Sequence, residues 1–312
     1  MGIALIFPGQ GSQKIGMCSS FITGFKTGIE VMEEIEDAIS FKISKLIFDG
    51  PIDELTQTQN AQMAIFAASI ATFCVLQQEF GFNIARSVKY MAGHSLGEYT
   101  ALCAASAIPI IHTAILIQKR SEIMQKALDG VDSCMVAILG LTVDKVESLL
   151  GKNAQCVVAN DNSNTQVVIS GTATAVKKVA QDAMEAGAKK IVKLNTSGAF
   201  HSQLMHDKTT ELEEFIRDTS YFNAPIVPVI MNVTAKPIDW DTAGMGTLLA
   251  MQISNRVRWR ETIKFMAENG INKIVEIGPG RTLTNLSKRA YPGIKMTNIE
   301  TVPEMEAFVR DE

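Results

Sequence analysis

The chain has 312 residues, 46% of them hydrophobic, which is enough to bury a large core as one large domain or as a domain carrying an insert. Lysine and arginine total 29 against 33 aspartate and glutamate, a net charge of −4, so the overall field gives no reason to expect a nucleic-acid partner. The five cysteines (Cys18, Cys74, Cys103, Cys134 and Cys156) are widely spaced, with no CxxC and no histidine at metal-ligand spacing; they read as reduced, mostly buried thiols, no metal site and a cytoplasmic location.

Residues 3–7 form a short apolar run that predicts a buried strand entering the glycine loop Pro8-Gly9-Gln10-Gly11-Ser12-Gln13. No basic region precedes it, which argues against a signal peptide. Helical patterns occupy much of 26–80. A second strand is predicted over 88–92, followed by Gly93-His94-Ser95-Leu96-Gly97 and an alanine-rich helix from Glu98. The apolar stretch 64–76 is too short for a bilayer, and 101–117 is broken by Pro109 and His112. Both therefore predict buried helices and no membrane partner.

From Ser133 the pattern changes. Apolar runs over 135–139, 155–159, 166–169 and 190–194 alternate with helices over 143–150 and 174–186, and 160–164 is turn-rich. This βαββαβ order is that of a ferredoxin-like unit and predicts an inserted subdomain over 130–196, within an α/β domain formed by 1–129 and 197–312. A helix over 202–218, a strand over 226–231, helices near 245–253 and 260–269, a strand over 273–277 and a helix over 282–290 follow, and predict a largely parallel sheet. Only the last dozen residues look detachable.

The pentapeptide around Ser95 matches GxSxG, in which small flanking residues permit a tight strand-to-helix turn that projects a serine hydroxyl beside helix N–H groups. A serine that merely caps the next helix fits the same five residues. A nucleophilic serine needs a base, because its free hydroxyl is essentially un-ionised at neutral pH. Of the four histidines, His94 adjoins the serine and points away, His112 reads as a satisfied core residue, and His206 as a helix-surface residue. His201 ends the loop Asn195-Thr196-Ser197-Gly198-Ala199-Phe200 and is the candidate base. Arg120 sits in the apolar helical stretch 115–125, where a long cation is either a solvated charge or a planar fork aimed at a carboxylate.

Six segments together resemble the malonyl-CoA:acyl carrier protein transacylases of fatty-acid synthesis, over nearly the whole chain. They are Phe7 to Gln13, Gly93 to Tyr99, Arg120 with Met124, Gly198-Ala199-Phe200-His201-Ser202, Asn232-Val233-Thr234 and Glu276-Ile277-Gly278-Pro279-Gly280. The resemblance implies a hydrolase-like α/β domain with a ferredoxin-like insert. It implies Ser95 as nucleophile, His201 as base, and the N–H groups of Gln10 and Leu96 as oxyanion donors, although Pro-Gly-Gln-Gly forms a turn in any protein. It further implies that Arg120 reads the malonyl carboxylate and that Met124, Phe200 and Gln252 complete the substrate site. Phe200 matches the malonyl-selecting form of related polyketide acyltransferases.

The same resemblance orients the histidine through main-chain carbonyls near Gln252; the chain has Asn255-Arg256 where the family often has Asn-Pro. The implied partners are malonyl-CoA and an acyl carrier protein, with no cofactor beyond the coenzyme A thioester as substrate. A free-standing polyketide acyltransferase and a serine thioesterase are the alternatives. Because carrier proteins are acidic, a basic patch drawn from Lys177, Lys178, Lys189, Lys190, Arg256 and Arg258 is expected.

Overall fold

The structure, a computed structural model, describes residues 2–151, 155–219, 221–238 and 242–312, with the side chains of 242 and 243 left aside. Among the described residues nine strands run in chain order: β1 (Gly2–Phe7), β2 (Val88–Gly93), β3 (Ser133–Leu139), β4 (Cys156–Ser163), β5 (Gln166–Thr172), β6 (Lys190–Lys193), β7 (Val229–Ile230), β8 (Ile271–Ile277) and β9 (Lys295–Ile299). They form two sheets, a five-stranded one of order β7-β2-β1-β8-β9 and a four-stranded one of order β4-β5-β3-β6. Neighbours in the first are all parallel and in the second all antiparallel.

The parallel sheet is covered on both faces, as its continuous apolar strands require. Ile3, Leu5 and Phe7 of β1 join the largest core cluster, with the helix Thr58–Gln78, while Ala4 and Ile6 face a second cluster with the helices Trp259–Glu268 and Thr282–Ala290. Successive side chains of one strand thus enter different cores. The antiparallel sheet has its own core of Val136, Ile138, Val146, Val158, Val167, Ile169, Val176 and Val179, packed under the helices Val143–Leu150 and Ala173–Glu185. A bidentate Arg260–Asp161 pair at 2.7–3.0 Å and the exchange of main-chain bonds between Val257 and residues 159 and 161 tie the two sheets together.

Several expectations change. The strand expected over 226–231 shortens to Val229–Ile230 at the sheet edge. Pro225 and Pro228 lack the N–H that a longer ladder needs. Strand β4 runs on through the turn-rich 160–163, with register irregularities, because its polar side chains find partners: Asp161 on Arg260 and Asn162 on His94. His112 is no core residue; it is half-buried with its ring edge-on to Tyr221, itself 68% exposed.

The helix Thr58–Gln78, at 21 residues, exceeds the apolar stretch read from sequence and is long and apolar enough to cross a membrane, yet 89% of its apolar window is buried inside the molecule. The C-terminal residues are not detachable. Helix Val302–Asp311 starts with a Thr301/Glu304 capping box, buries Met305 and Phe308, packs the Phe308 ring at a tilt 5.0 Å from Phe82, and is followed by a Glu312–Lys273 ion pair.

Candidate active site

Register between β1 and β2 sets Phe7 opposite Gly93, so the loops leaving both strands lie side by side at their carboxyl ends, where open α/β sheets bind ligands. The His94 N–H donates to the Phe7 carbonyl at 3.1 Å and closes this corner. At its apex Ser95 has φ 52° and ψ −109°, a conformation costing about 1–3 kcal/mol for a residue with a side chain. The flanking glycines make the turn possible. A Cβ on Gly93 would stand 1.8 Å from the Gly97 carbonyl carbon, and one on Gly97 would stand 2.1 Å from the Phe7 oxygen. Helix Leu96–Ala104 starts immediately, so the Leu96 N–H is among its first-turn donors.

Ser95 Oγ lies 2.8 Å from His201 Nε2. The other ring nitrogen, Nδ1, is 2.9 Å from the Gln252 carbonyl and 3.1 Å from that of Asn255. Carbonyls only accept, so Nδ1 carries the proton and Nε2 is free to take one from serine. Arginine in place of proline after Asn255 leaves that carbonyl on the imidazole. Burial, reinforced by the Arg120 charge, pushes the His201 pKa down to about 3, which keeps the ring neutral.

Arg120, on helix Ile110–Lys126, is wholly buried. Its guanidinium donates to Gln62 Oε1 at 2.6 Å, Gln252 Oε1 at 2.8 Å and Ser95 Oγ at 3.0 Å, and lies 5.3 Å from the Tyr99 ring centroid. No carboxylate bonds it directly among the described residues, although the buried Glu98 carboxyl attracts it from farther off, and its Nε has no hydrogen-bond partner. A buried cation bonded only to neutral acceptors is able to receive an anion, because an incoming carboxylate would supply opposite charge in a medium where it counts most.

The expected residues converge. Gln10, Ser95, Leu96, Arg120, Met124, Phe200 and His201 line one small cleft of about 70 Å³. A larger groove, about 720 Å³, runs between 233–236 and 258–268 and includes none of them. Gln252, grouped by resemblance with the substrate contacts, is wholly buried and bridges the others: its amide donates to the Ser95 carbonyl at 3.0 Å, its Oε1 accepts from Arg120, and its carbonyl orients His201. Of the remaining histidines, His94 bonds Asn162 at 2.8 Å while also lining the cleft, His206 lies exposed at the start of a helix as expected, and His112 packs against Tyr221.

Sequence reading gave no role to three side chains here. Gln62 joins Arg120 to Met124, whose sulfur is 3.9 Å from the Gln62 amide; its one signal was a polar side chain at the edge of the apolar stretch of its helix. Glu98 is buried, and desolvation raises its pKa to about 8. Asn232 reaches the serine's own backbone. The last two lay inside quoted motifs with no partner visible.

Residues 4–311 match the acyl transferase domain family. The malonyl CoA-acyl carrier protein transacylase of Bacillus subtilis is 35% identical across 99% of this chain and 96% of its own length. The chain belongs to the malonyl-CoA:acyl carrier protein transacylase family. Another relative in this family, the Bacillus velezensis polyketide biosynthesis malonyl CoA-acyl carrier protein transacylase BaeC, is 37% identical over 92% of this chain and 96% of its own. The crystal structure of the acyl-carrier-protein-S-malonyltransferase from Bartonella henselae superposes with a TM-score of 0.94 at 42% identity, covering 100% of this chain and 99% of that one. A malonyl-transacylase solved in complex with a type II PKS acyl-carrier protein gives 0.94 at 32% identity, with 100% of both chains covered.

Proposed function

We propose that this chain moves the malonyl group from malonyl-CoA to the phosphopantetheine thiol of acyl carrier protein through a malonyl ester on Ser95, supplying fatty-acid elongation. The observation that carries the reading is Arg120, a buried cation lacking an acidic partner and 3.0 Å from Ser95 Oγ. Ser95 Oγ attacks the thioester carbonyl while His201 Nε2 takes its proton. The N–H groups of Gln10 and Leu96 receive the developing alkoxide. Collapse expels the coenzyme A sulfur, which leaves with the proton from His201. The carrier thiol then gives its proton to His201 and attacks the ester, and His201 returns that proton to Ser95 Oγ as the ester breaks. Nothing is oxidised, so the cycle needs no cofactor beyond its thioester substrate, and no metal.

In this reading 130–196 is a ferredoxin-like subdomain inserted in a hydrolase-like α/β domain of 1–129 and 197–312. The strand order β4-β5-β3-β6 with two helices on one core supports it. Five free cysteines support a cytoplasmic setting. The polyketide relatives keep a polyketide carrier open as an alternative acceptor.

Intact-mass measurement after mixing with malonyl-CoA is expected to find one malonyl adduct, absent in Ser95→Ala and discharged on adding holo-carrier. Rapid loss of the adduct to water without carrier would instead mark a thioesterase.

For the carrier surface, Arg256 and Arg258 drop out of the expected patch, since they are drawn onto Glu147 and Glu261, each at 2.5 Å. Lys177, Lys178, Lys189 and Lys190 are exposed on the antiparallel half. Reversing these four charges is expected to slow transfer to carrier by about tenfold at low salt while leaving transfer to free pantetheine unchanged. Equal slowing of both acceptors would refute the patch.

A further inference from the structure

Asn232 is 1% exposed and follows the short edge strand β7, outside the cleft lining. Its carboxamide spans the nucleophile turn. Oδ1 accepts from the Ser95 N–H at 2.7 Å, and Nδ2 donates to the Gly93 carbonyl at 2.6 Å. One partner is a main-chain donor and the other a main-chain acceptor, so only one amide orientation satisfies both. Asn232 is itself held from two sides: its N–H donates to the buried Glu98 carboxylate, on the helix that Ser95 starts, and its carbonyl accepts from the Arg258 N–H at 3.2 Å.

We propose that Asn232 is a positioning residue for malonyl transfer, clamping the strained Ser95 turn so that Oγ stays in line with His201 Nε2. Two features support a role beyond packing. The turn has an unfavourable φ,ψ at Ser95 that something must hold, and Asn232 grips the main chain leading directly into it at two atoms, the Gly93 carbonyl and the Ser95 N–H. Engaging the Ser95 N–H also removes it from the oxyanion donors and leaves the Leu96 N–H, one residue on, to fill that place.

The inference rests on Ser95 being the acylated residue, so the test starts with the wild type. Absence of a malonyl-Ser95 burst there would overturn the proposed function itself. Given that burst, Asn232→Ala is expected to lower kcat and the acylation rate by about 100-fold, with KM for malonyl-CoA within about threefold and the malonyl-over-acetyl preference kept. Asn232→Asp keeps the shape and carries the test if the alanine variant does not fold. As an ionised acid it would accept from Ser95 but repel the Gly93 carbonyl; as a neutral acid it would both accept and donate. Its kcat relative to wild type is therefore expected to recover as pH falls from about 8 to about 5, since burial raises an acid's pKa. The titratable and charged groups around it are Glu98, whose carboxyl titrates at about 8, and Arg258 with its partner Glu261; the wild type carries all of them and supplies the reference profile. Wild-type acylation rates in both variants, a loss confined to KM, or an aspartate-to-wild-type ratio constant with pH would each overturn the clamp.

Discussion

Arg120→Ala is expected to lower kcat/KM for malonyl-CoA by about 10²–10³-fold and to raise transfer of acetyl above the wild-type rate. The magnitude follows from losing two charge-assisted hydrogen bonds to the malonyl carboxylate, together about 3–4 kcal/mol. Acetyl gains because, bound beside the wild-type arginine, it leaves a desolvated cation unneutralised. The substitution also strips donors from Gln62 and Gln252, which form part of the site with every substrate. The ratio of malonyl to acetyl activity, measured side by side at steady state, is therefore the informative quantity. An unchanged ratio would refute the carboxylate receptor. Arg120→Lys is expected to fall near the alanine variant, because a single ammonium cannot reproduce the planar fork that reaches Gln62, Gln252 and Ser95 together.

The pH profile of kcat/KM is expected to stay flat from about pH 7 down to about pH 5, without the acid limb near 6.5 that an ordinary imidazole gives. His201 is held to about 3 by burial and by Arg120, its Nδ1 faces carbonyls rather than a carboxylate, and the nearby buried Glu98 titrates only at about 8. An acid limb near 6.5 that disappears in a His201 variant would show an ordinary imidazole instead. Stability should move differently. Between the ordinary 6.5 and about 3 the unfolded chain binds a proton that folded His201 refuses, so this residue's contribution is lost as pH falls through that window. His201→Ala is expected to cost about 10⁴-fold in kcat.

Much of the site was legible because its chemistry is local in sequence. The GxSxG turn declares itself through two glycines whose missing Cβ atoms the backbone needs, and His201 stood out by elimination among four histidines. The meaning of Arg120 was not local. A lysine-flanked arginine in a helix reads equally as solvated, and only its complete burial against Gln62, 58 residues away, decides otherwise. Asn232 is 137 residues from the backbone it grips, a contact that no spacing rule reports.

In the fold, strands inside the sheets declared themselves by apolar runs. Strand β9 and the last helix escaped, because Lys295, Thr297 and Asn298 interrupt the apolar pattern and a polar C-terminal end invites a reading as loose tail. The partners of two of those polar side chains, Asp311 for Lys295 and Glu304 for Asn298, come from the last helix itself.

The position of β1 bears on how the molecule is made. This first strand is central, and its partner residues are 88–93 on one side and 271–276 on the other. A chain emerging from the ribosome exposes one bare edge of that apolar strand until residues 271–276 have been synthesised. Parallel pairing across such a separation closes slowly, because loop entropy must be overcome before the contacts form. The rate of reaching the native state, and losses to aggregation on the way, should therefore depend on how well the edge facing β8 is shielded during synthesis.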